Sequence, residues 1–307
     1  MIFLITVYIK RLKKDDKIDD LKKVPKFLHK MLINITKRTN NFYTNTIDED
    51  KKIYLIIDEN NKNIYKNIIK KLKNEKTKTQ KVQIVLEDDL KEYIDYFSEF
   101  KILNGKDFMN NNVKAILEKI LENTPMALQD VFILTNKYNE QSIRMIKNIG
   151  QEFKSVNVIS KEIEKYKTLE DILESEIIVF SIANNKKKSL KKAKIILNMD
   201  FSNEQLQEYN ICRSAIIVNL SKEKIKDLKS FEGIIVQNVE IELEDSEKKF
   251  FKENNIIEKF KKVELYESIS TKKIQDVKRI KKIYGNNGEI DKKELINIRK
   301  ILTNIKN

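Results

Sequence analysis

What the chain has little of limits its chemistry first. Its 307 residues include one cysteine, Cys212, and one histidine, His29. A lone cysteine excludes an intrachain disulfide and any multi-cysteine metal site. This fits a reducing compartment, and we expect a cytoplasmic protein. One imidazole leaves little of the commonest general base and the commonest metal ligand, so catalysis would rest on Lys, Asp, Glu, Tyr, Ser or a bound cofactor. Arginine is also scarce: Arg11, Arg38, Arg144, Arg213, Arg279 and Arg299 are the only six among 61 basic residues. Bidentate recognition of phosphate or guanine favours the planar guanidinium, which speaks against a dedicated polyanion reader. The apolar opening run, Met1–Ile9, is shorter than the roughly 20 residues of a membrane span. Its positive charges follow the run and no small-residue cleavage site appears, so it is no good signal peptide and reads as a buried strand, with a membrane-touching stretch as the alternative because Lys10, Arg11, Lys13 and Lys14 come directly after.

The chain carries a net charge of +14, with 40% hydrophobic and 35% charged residues. That much Ile, Leu and Val predicts a packed protein, and the length suits two domains. Lys, Asn and Ile are all inflated, as AT-rich codon choice would make them, so much of the positive charge reads as solvated surface.

Four segments follow from the patterning. Residues 1–50 form a basic N-terminal strand, helix and linker. In Ile18–Thr39, Leu21, Val24, Leu28, Leu32 and Ile35 make an apolar stripe beside His29, and Pro25 favours a helix start near Val24. The polar stretch Thr39–Lys52 (TNNFYTNTIDEDKK) reads as the linker. Residues 51–128 form a small α/β domain, with strands at Ile53–Ile57, Val82–Leu86 and Lys101–Leu103, and helices near Ile64–Leu72 and Asp107–Glu122. Residues 129–240 place short apolar runs at Val131–Leu134, Val156–Ile159, Ile177–Phe180, Ile195–Leu197, Ala215–Val218 and Ile234–Val236. Their regular spacing and unbroken apolarity predict a doubly wound parallel sheet covered on both faces, a Rossmann-like α/β fold. Between them, Ile143, Ile146, Ile149 and Phe153 share one helix face, and Ser202 and Ser221 suit helix N-caps. Residues 241–307 read as mostly helical and Lys-rich, with helices carrying Phe250, Phe251, Ile257 and Phe260, then around Ile274–Ile283 and Glu294–Ile305. A short strand at Val263–Tyr266 interrupts them.

Ligands of such a sheet sit at the carboxyl ends of its strands, and the first strand-to-helix turn receives a pyrophosphate. That turn here, Asn136 to Ser142, contains no glycine, so side chains obstruct close backbone approach to phosphate. Lys137 and the amides near Asn139 remain able to hold an anion at the helix start, which Glu140 opposes. Carboxylates after several strands (Asp58, Glu59, Glu87, Asp88, Asp89 and Asp200) could bind Mg²⁺, but helix caps and turns use the same residues, and we expect no metal site. Asn286 to Asp291 reads as a turn before a helix. Cys212, beside Arg213, reads as a packing residue with no partner base.

The order of segments carries a resemblance. The strand Asp130-VFILT, the strand SVNVIS ending at Ser160, LEDILESEIIVFSIANN from Leu169 to Asn185 and AKIILNMD from Ala193 to Asp200 together resemble the nicotinamide-binding domain of glutamyl-tRNA reductase and shikimate dehydrogenase. A smaller α/β domain precedes it, as there. The resemblance implies that a basic residue after the second strand reads the NADP phosphate, where this chain has Ser160, Lys161 and Glu162. It implies that Ser181, Ile182, Ala183 and Asn184 face nicotinamide. Glutamyl-tRNA reductase also uses an N-terminal-domain cysteine nucleophile, and this chain has none in that region.

Three functions stay open. The first is a Rossmann-like protein with a degenerate phosphate turn and no resident cofactor, working by binding or interaction. The second is an active NAD(P)-dependent oxidoreductase, with Asn136, Lys137, Asn139, Ser160, Lys161, Ser181 and Asn184 as cofactor contacts. The third is a nucleic-acid- or anionic-surface-binding protein using the Lys-rich helices within Lys10–Lys37 and Lys272–Lys282. A homo-oligomer is compatible with each.

Overall fold

In a computed structural model of the chain, residues 3–13, 16–22, 24–39, 42–75, 80–226, 228–256, 260–269 and 280–303 are described. The chain divides into two compact units, Met1–Asn104 with Leu243–Ile274, and Gly105–Glu242 with Gln275–Asn307.

The first unit is built on β1 (Phe3–Arg11). Residues Ile5 to Lys10 are all buried, as a central parallel strand requires. After a 3₁₀ turn at Asp19–Leu21 comes α1 (Lys26–Thr39), beginning just past Pro25, whose missing N–H costs nothing in a first helical turn. Then follow β2 (Phe42–Asp48), β3 (Lys51–Ile56), α2 (Lys62–Glu75), β4 (Gln80–Leu86), a 3₁₀ segment (Asp88–Phe97) and β5 (Lys101–Ile102). The five strands are ordered β2-β3-β1-β4-β5, with only β2 antiparallel to its neighbour. Thr39–Lys52 is therefore not a linker. Its polar composition reflects an edge strand with one side open, which pairs with β3 from Phe42↔Ile56 onward. The expected boundary at residue 50 also falls inside one sheet, because β1 pairs with both β3 and β4.

The second unit opens with α3 (Lys106–Asn111) and α4 (Val113–Leu121), two helices where one was expected, broken at Asn112 (φ −117°, ψ 25°). There follow β6 (Asp130–Leu134), α5 (Glu140–Gly150), β7 (Ser155–Ile159), α6 (Ile163–Lys167), α7 (Glu170–Ser175), β8 (Phe180–Ala183), β9 (Ile195–Asn198), α8 (Asn203–Gln207), β10 (Ile216–Asn219), β11 (Ile234–Val236) and β12 (Asn238–Ile241). Six of these strands form an all-parallel sheet ordered β11-β10-β9-β6-β7-β8. Numbered along the chain and read from the β8 edge, this is the 3-2-1-4-5-6 order of a doubly wound Rossmann-type sheet, with its switch point between β6 and β9. Ser202 caps α8 with Gln205 as expected, whereas no helix follows Ser221 among the described residues.

The tail is less helical than its composition implies. α9 (Asp245–Glu253) and α10 (Lys262–Ile269) belong to the first unit. The strand expected at Val263–Tyr266 is part of α10: Val263 to Ser268 are all buried, and a segment buried on every side shows no periodicity. The helix expected at Ile274–Ile283 lies partly outside the described residues, and its end is instead β13 (Ile280–Gly285). β13 pairs with β12 and, through a tight turn at Asn286–Asn287, with β14 (Gly288–Glu289); α11 (Lys292–Thr303) closes the unit. Residues 241–307 thus divide between the two units rather than forming a segment of their own.

Gly233, at the entry to β11, is required by close approach. A Cβ there would lie 2.0 Å from the Ala215 carbonyl oxygen and 2.9 Å from its nitrogen. At Gly150 the nearest atom is the Ile178 Cγ2, 2.6 Å away on a movable side chain. Gly233→Ala should therefore cost about 3 kcal/mol in urea denaturation and Gly150→Ala about 1 kcal/mol, since backbone cannot yield as a side chain does. Equal costs would show that β11 can shift freely.

Candidate functional site

The carboxyl ends of the six parallel strands are where such a sheet takes a ligand. At the switch point the segments after β6 and β9 are hydrogen-bonded to each other. The Asn136 backbone N–H, just past β6, donates to Asp200 Oδ1 beyond β9 at 2.6 Å. The Asn136 side chain pairs reciprocally with Gln205 (2.9 and 3.1 Å), and Gln205 is also the capping-box partner of Ser202 at the start of α8. Burial raises the Asp200 carboxyl above its ordinary range, while the Asn136 N–H and the Lys137 ammonium draw it back.

The turn that would cradle a diphosphate has most of its amides occupied. Tyr138 N–H donates to Glu162 Oε2 (2.9 Å), Lys137 N–H to Thr135 Oγ1 (3.3 Å) and Asn139 N–H to Ser142 Oγ (3.1 Å). Asn139 Oδ1 in turn accepts from Ser142 N–H at 2.9 Å, completing a capping box on α5. Tyr166 donates to the Lys137 carbonyl and lies 2.8 Å from Ser142 Oγ, its ring edge-on to Tyr138. Lys165 and the Tyr138 amide hold the Glu162 carboxylate below its usual range.

The candidate contacts separate. Asn136, Lys137 and Asn139 share the β6–α5 turn, and Glu162, held by the Tyr138 amide, links that turn to the end of β7. Ser160 is buried there and accepts from the Glu162 N–H, so it serves the turn's scaffold. The Lys137 and Lys161 side chains are exposed. Ser181 is not at the crest: β8 starts three residues later than the apolar run suggests, which places Ser181 opposite Asn157, to which it donates at 2.6 Å. Asn184, just past β8, accepts from the Tyr209 hydroxyl.

One constellation has no counterpart in the expected sites. Asn198, Asn219 and Gln237 end or follow β9, β10 and β11, and all are buried. Asn198 donates to Asn219 Oδ1 (3.1 Å), Asn219 to Gln237 Oε1 (2.9 Å) and Gln237 to Asn286 Oδ1 (2.8 Å). The buried Lys106 ammonium caps the carbonyls of Asn219 and Gln237 at 2.6 and 2.7 Å. The signal is in the sequence as Ile-Ile-Leu-Asn, Ile-Ile-Val-Asn and Ile-Ile-Val-Gln, three apolar runs each closed by an amide.

The strand-end carboxylates do not form one group. In the first unit, Arg11 is ion-paired to Glu59 and to Asp89, and its backbone N–H donates to Glu87 at 2.6 Å. Asp88 pairs with Lys91, and Asp200 belongs to the other unit. Among the described residues no group of three or more His, Cys, Asp or Glu side chains is arranged to hold a metal ion. Cys212 is half-buried with its Sγ 3.7 Å from Ser214 Oγ.

No protein-family profile matches the chain, and no curated protein matches it in sequence. Among solved structures it is similar to L-tryptophan dehydrogenase from Nostoc punctiforme, at a TM-score of 0.32 and 7% identity over 74% of this chain. The matched region spans 65% of that protein's length.

Asp200 offers a direct check. Its folded-state pKa is raised by burial, so the fold favours the protonated carboxyl, and that contribution is lost as pH rises through the folded value. Asp200→Asn keeps an acceptor for the Asn136 N–H without the charge and should match or exceed the parent's stability at neutral pH, the difference closing in acid. Asp200→Ala leaves that amide without its acceptor and should cost about 1–3 kcal/mol. Urea titrations across acid and neutral pH would distinguish them, and an Asn variant as damaged as the Ala variant would refute this account.

Proposed function

We propose that the chain is a Rossmann-like protein whose dinucleotide crevice is closed by its own side chains, and that it works by binding or interaction and not by hydride transfer. One observation carries this reading: the carboxylates of Asp200 and Glu162 hold the Asn136 and Tyr138 amides of the turn that would meet a diphosphate. A phosphate approaching these carboxylates meets like charge, and the amides it would need already donate to them. A hydrogen bond from an amide to a charged group returns only about 1.5–3 kcal/mol, and here it must first be taken from a carboxylate. Like charge and the hydrogen bond that must be given up both oppose binding, and there is no glycine at which the backbone could make a closer contact.

Isothermal titration of the full chain with NAD⁺, NADH, NADP⁺ and NADPH tests the proposal. We expect no saturable heat with any of the four up to millimolar ligand. A micromolar dissociation constant for any of them would overturn it in favour of an active reductase of the glutamyl-tRNA reductase or shikimate dehydrogenase type, with Lys137, Lys161 and Asn184 as its contacts.

A further inference from the structure

α1 turns large apolar side chains to solvent. Phe27 and Met31, one helical turn apart, are 80% and 52% exposed, and Ile35 on the next turn is 47% exposed. Leu28 and Leu32, on the adjoining side of the helix, are half-buried. Single exposed apolar residues are ordinary, but an aligned row on one helix marks a contact surface.

The charge around this row selects the partner. From Leu21 to Ile47 the sequence has no Asp or Glu, yet it contains Lys22, Lys23, Lys26, Lys30, Lys37 and Arg38. Lys22 is paired with Asp19 at 2.6 Å, and Lys30 is exposed. A second copy docking through the same face would bring two acid-free basic helices together, which like-charge repulsion opposes. A helix seated in a protein groove needs both flanks of its apolar stripe open, whereas Leu28 and Leu32 leave only one open side, suited to a flat surface. A basic helix with Phe and aliphatic residues on one side is the composition of helices that lie in the plane of an anionic bilayer. Among the described residues no helix is long and apolar enough to cross a membrane, so the contact is one of lying and not spanning.

We propose that α1 is an interfacial helix that sets Phe27, Met31 and Ile35 into the headgroup region of an anionic lipid bilayer, with the exposed Lys30 on lipid phosphates. This goes beyond the closed crevice and stands or falls separately from it. The test is co-sedimentation of the full chain with vesicles of phosphatidylcholine alone and of phosphatidylcholine mixed with phosphatidylglycerol. Binding should rise with phosphatidylglycerol and fall as salt is added. A Phe27→Ser/Met31→Ser double variant should bind about tenfold more weakly with unchanged circular dichroism and melting, and Lys30→Glu should weaken binding about fivefold or more. No retention on anionic vesicles at low salt, or equal retention of the double variant, would overturn the proposal. So would a parent that light scattering finds dimeric and a double variant found monomeric, since a second copy would then be what covers the face.

Discussion

A parallel sheet covered on both faces must end its strands in polar groups that are themselves satisfied, and the second unit depends on how it meets that demand. Each buried strand end presents carbonyls and amides that cost about 1–3 kcal/mol apiece if left unpaired. Asn198, Asn219 and Gln237 meet the requirement in series, each amide donating to the next, and the Lys106 ammonium caps the two carbonyls at the β10 and β11 ends. Such a network specifies geometry only when complete, because one missing member leaves its neighbours buried without partners. The register of β9, β10 and β11 is thus fixed at the carboxyl ends of these strands.

The same logic accounts for charge. Unpaired backbone amides attract an anion, and in the turn before α5 the chain supplies two carboxylates of its own, Asp200 from across the switch point to the Asn136 amide and Glu162 from beyond β7 to the Tyr138 amide. In the first unit the sign is reversed: Glu59, Glu87 and Asp89 meet at strand ends, and the cation among them is Arg11. Strand-end carboxylates read on the sequence as a metal site or as turn formers are, in these places, the counter-charges of the chain's own backbone and guanidinium.

The elements legible in the sequence were those whose burial leaves a mark in one dimension. The six strands of the second unit are continuous apolar runs because both faces are covered, so each was found and only β8 was displaced, where Ile177 and Val179 are apolar but exposed. The missing glycines at Asn136 to Ser142 were also plain. What stayed hidden was disguised by composition. β2 reads as a linker because an edge strand can be polar, and β13 reads as helix because Lys281 and Lys282 break the alternation that marks a strand. Abundant Asn and Lys looked like surface, which concealed that Asn198, Asn219 and Lys106 are buried; their pairing depends on contacts distant in sequence, such as the one between Lys106 and Gln237.

Distant polar ties also explain why the chain returns to its first unit after completing the Rossmann-type sheet. Lys10 is buried in β1, where its ammonium meets Asp16 at 2.6 Å and the Asn255 carbonyl, just past α9, at 2.9 Å. Tyr8 in the same strand reaches Ser268 in α10 at 2.8 Å, and the buried Glu264 of α10 takes both carboxylate oxygens to Lys91. Removing one member of a buried ion pair typically costs about 3–5 kcal/mol, although the pair is little better than a well-packed apolar substitute. Such ties therefore add little net stability but strongly penalise any other placement. Apolar packing around Phe251 and Phe260 would accept many arrangements; Lys10, Tyr8 and Glu264 accept this one, which is why Leu243 to Ile269 belongs with residues 173 to 260 positions earlier in the chain.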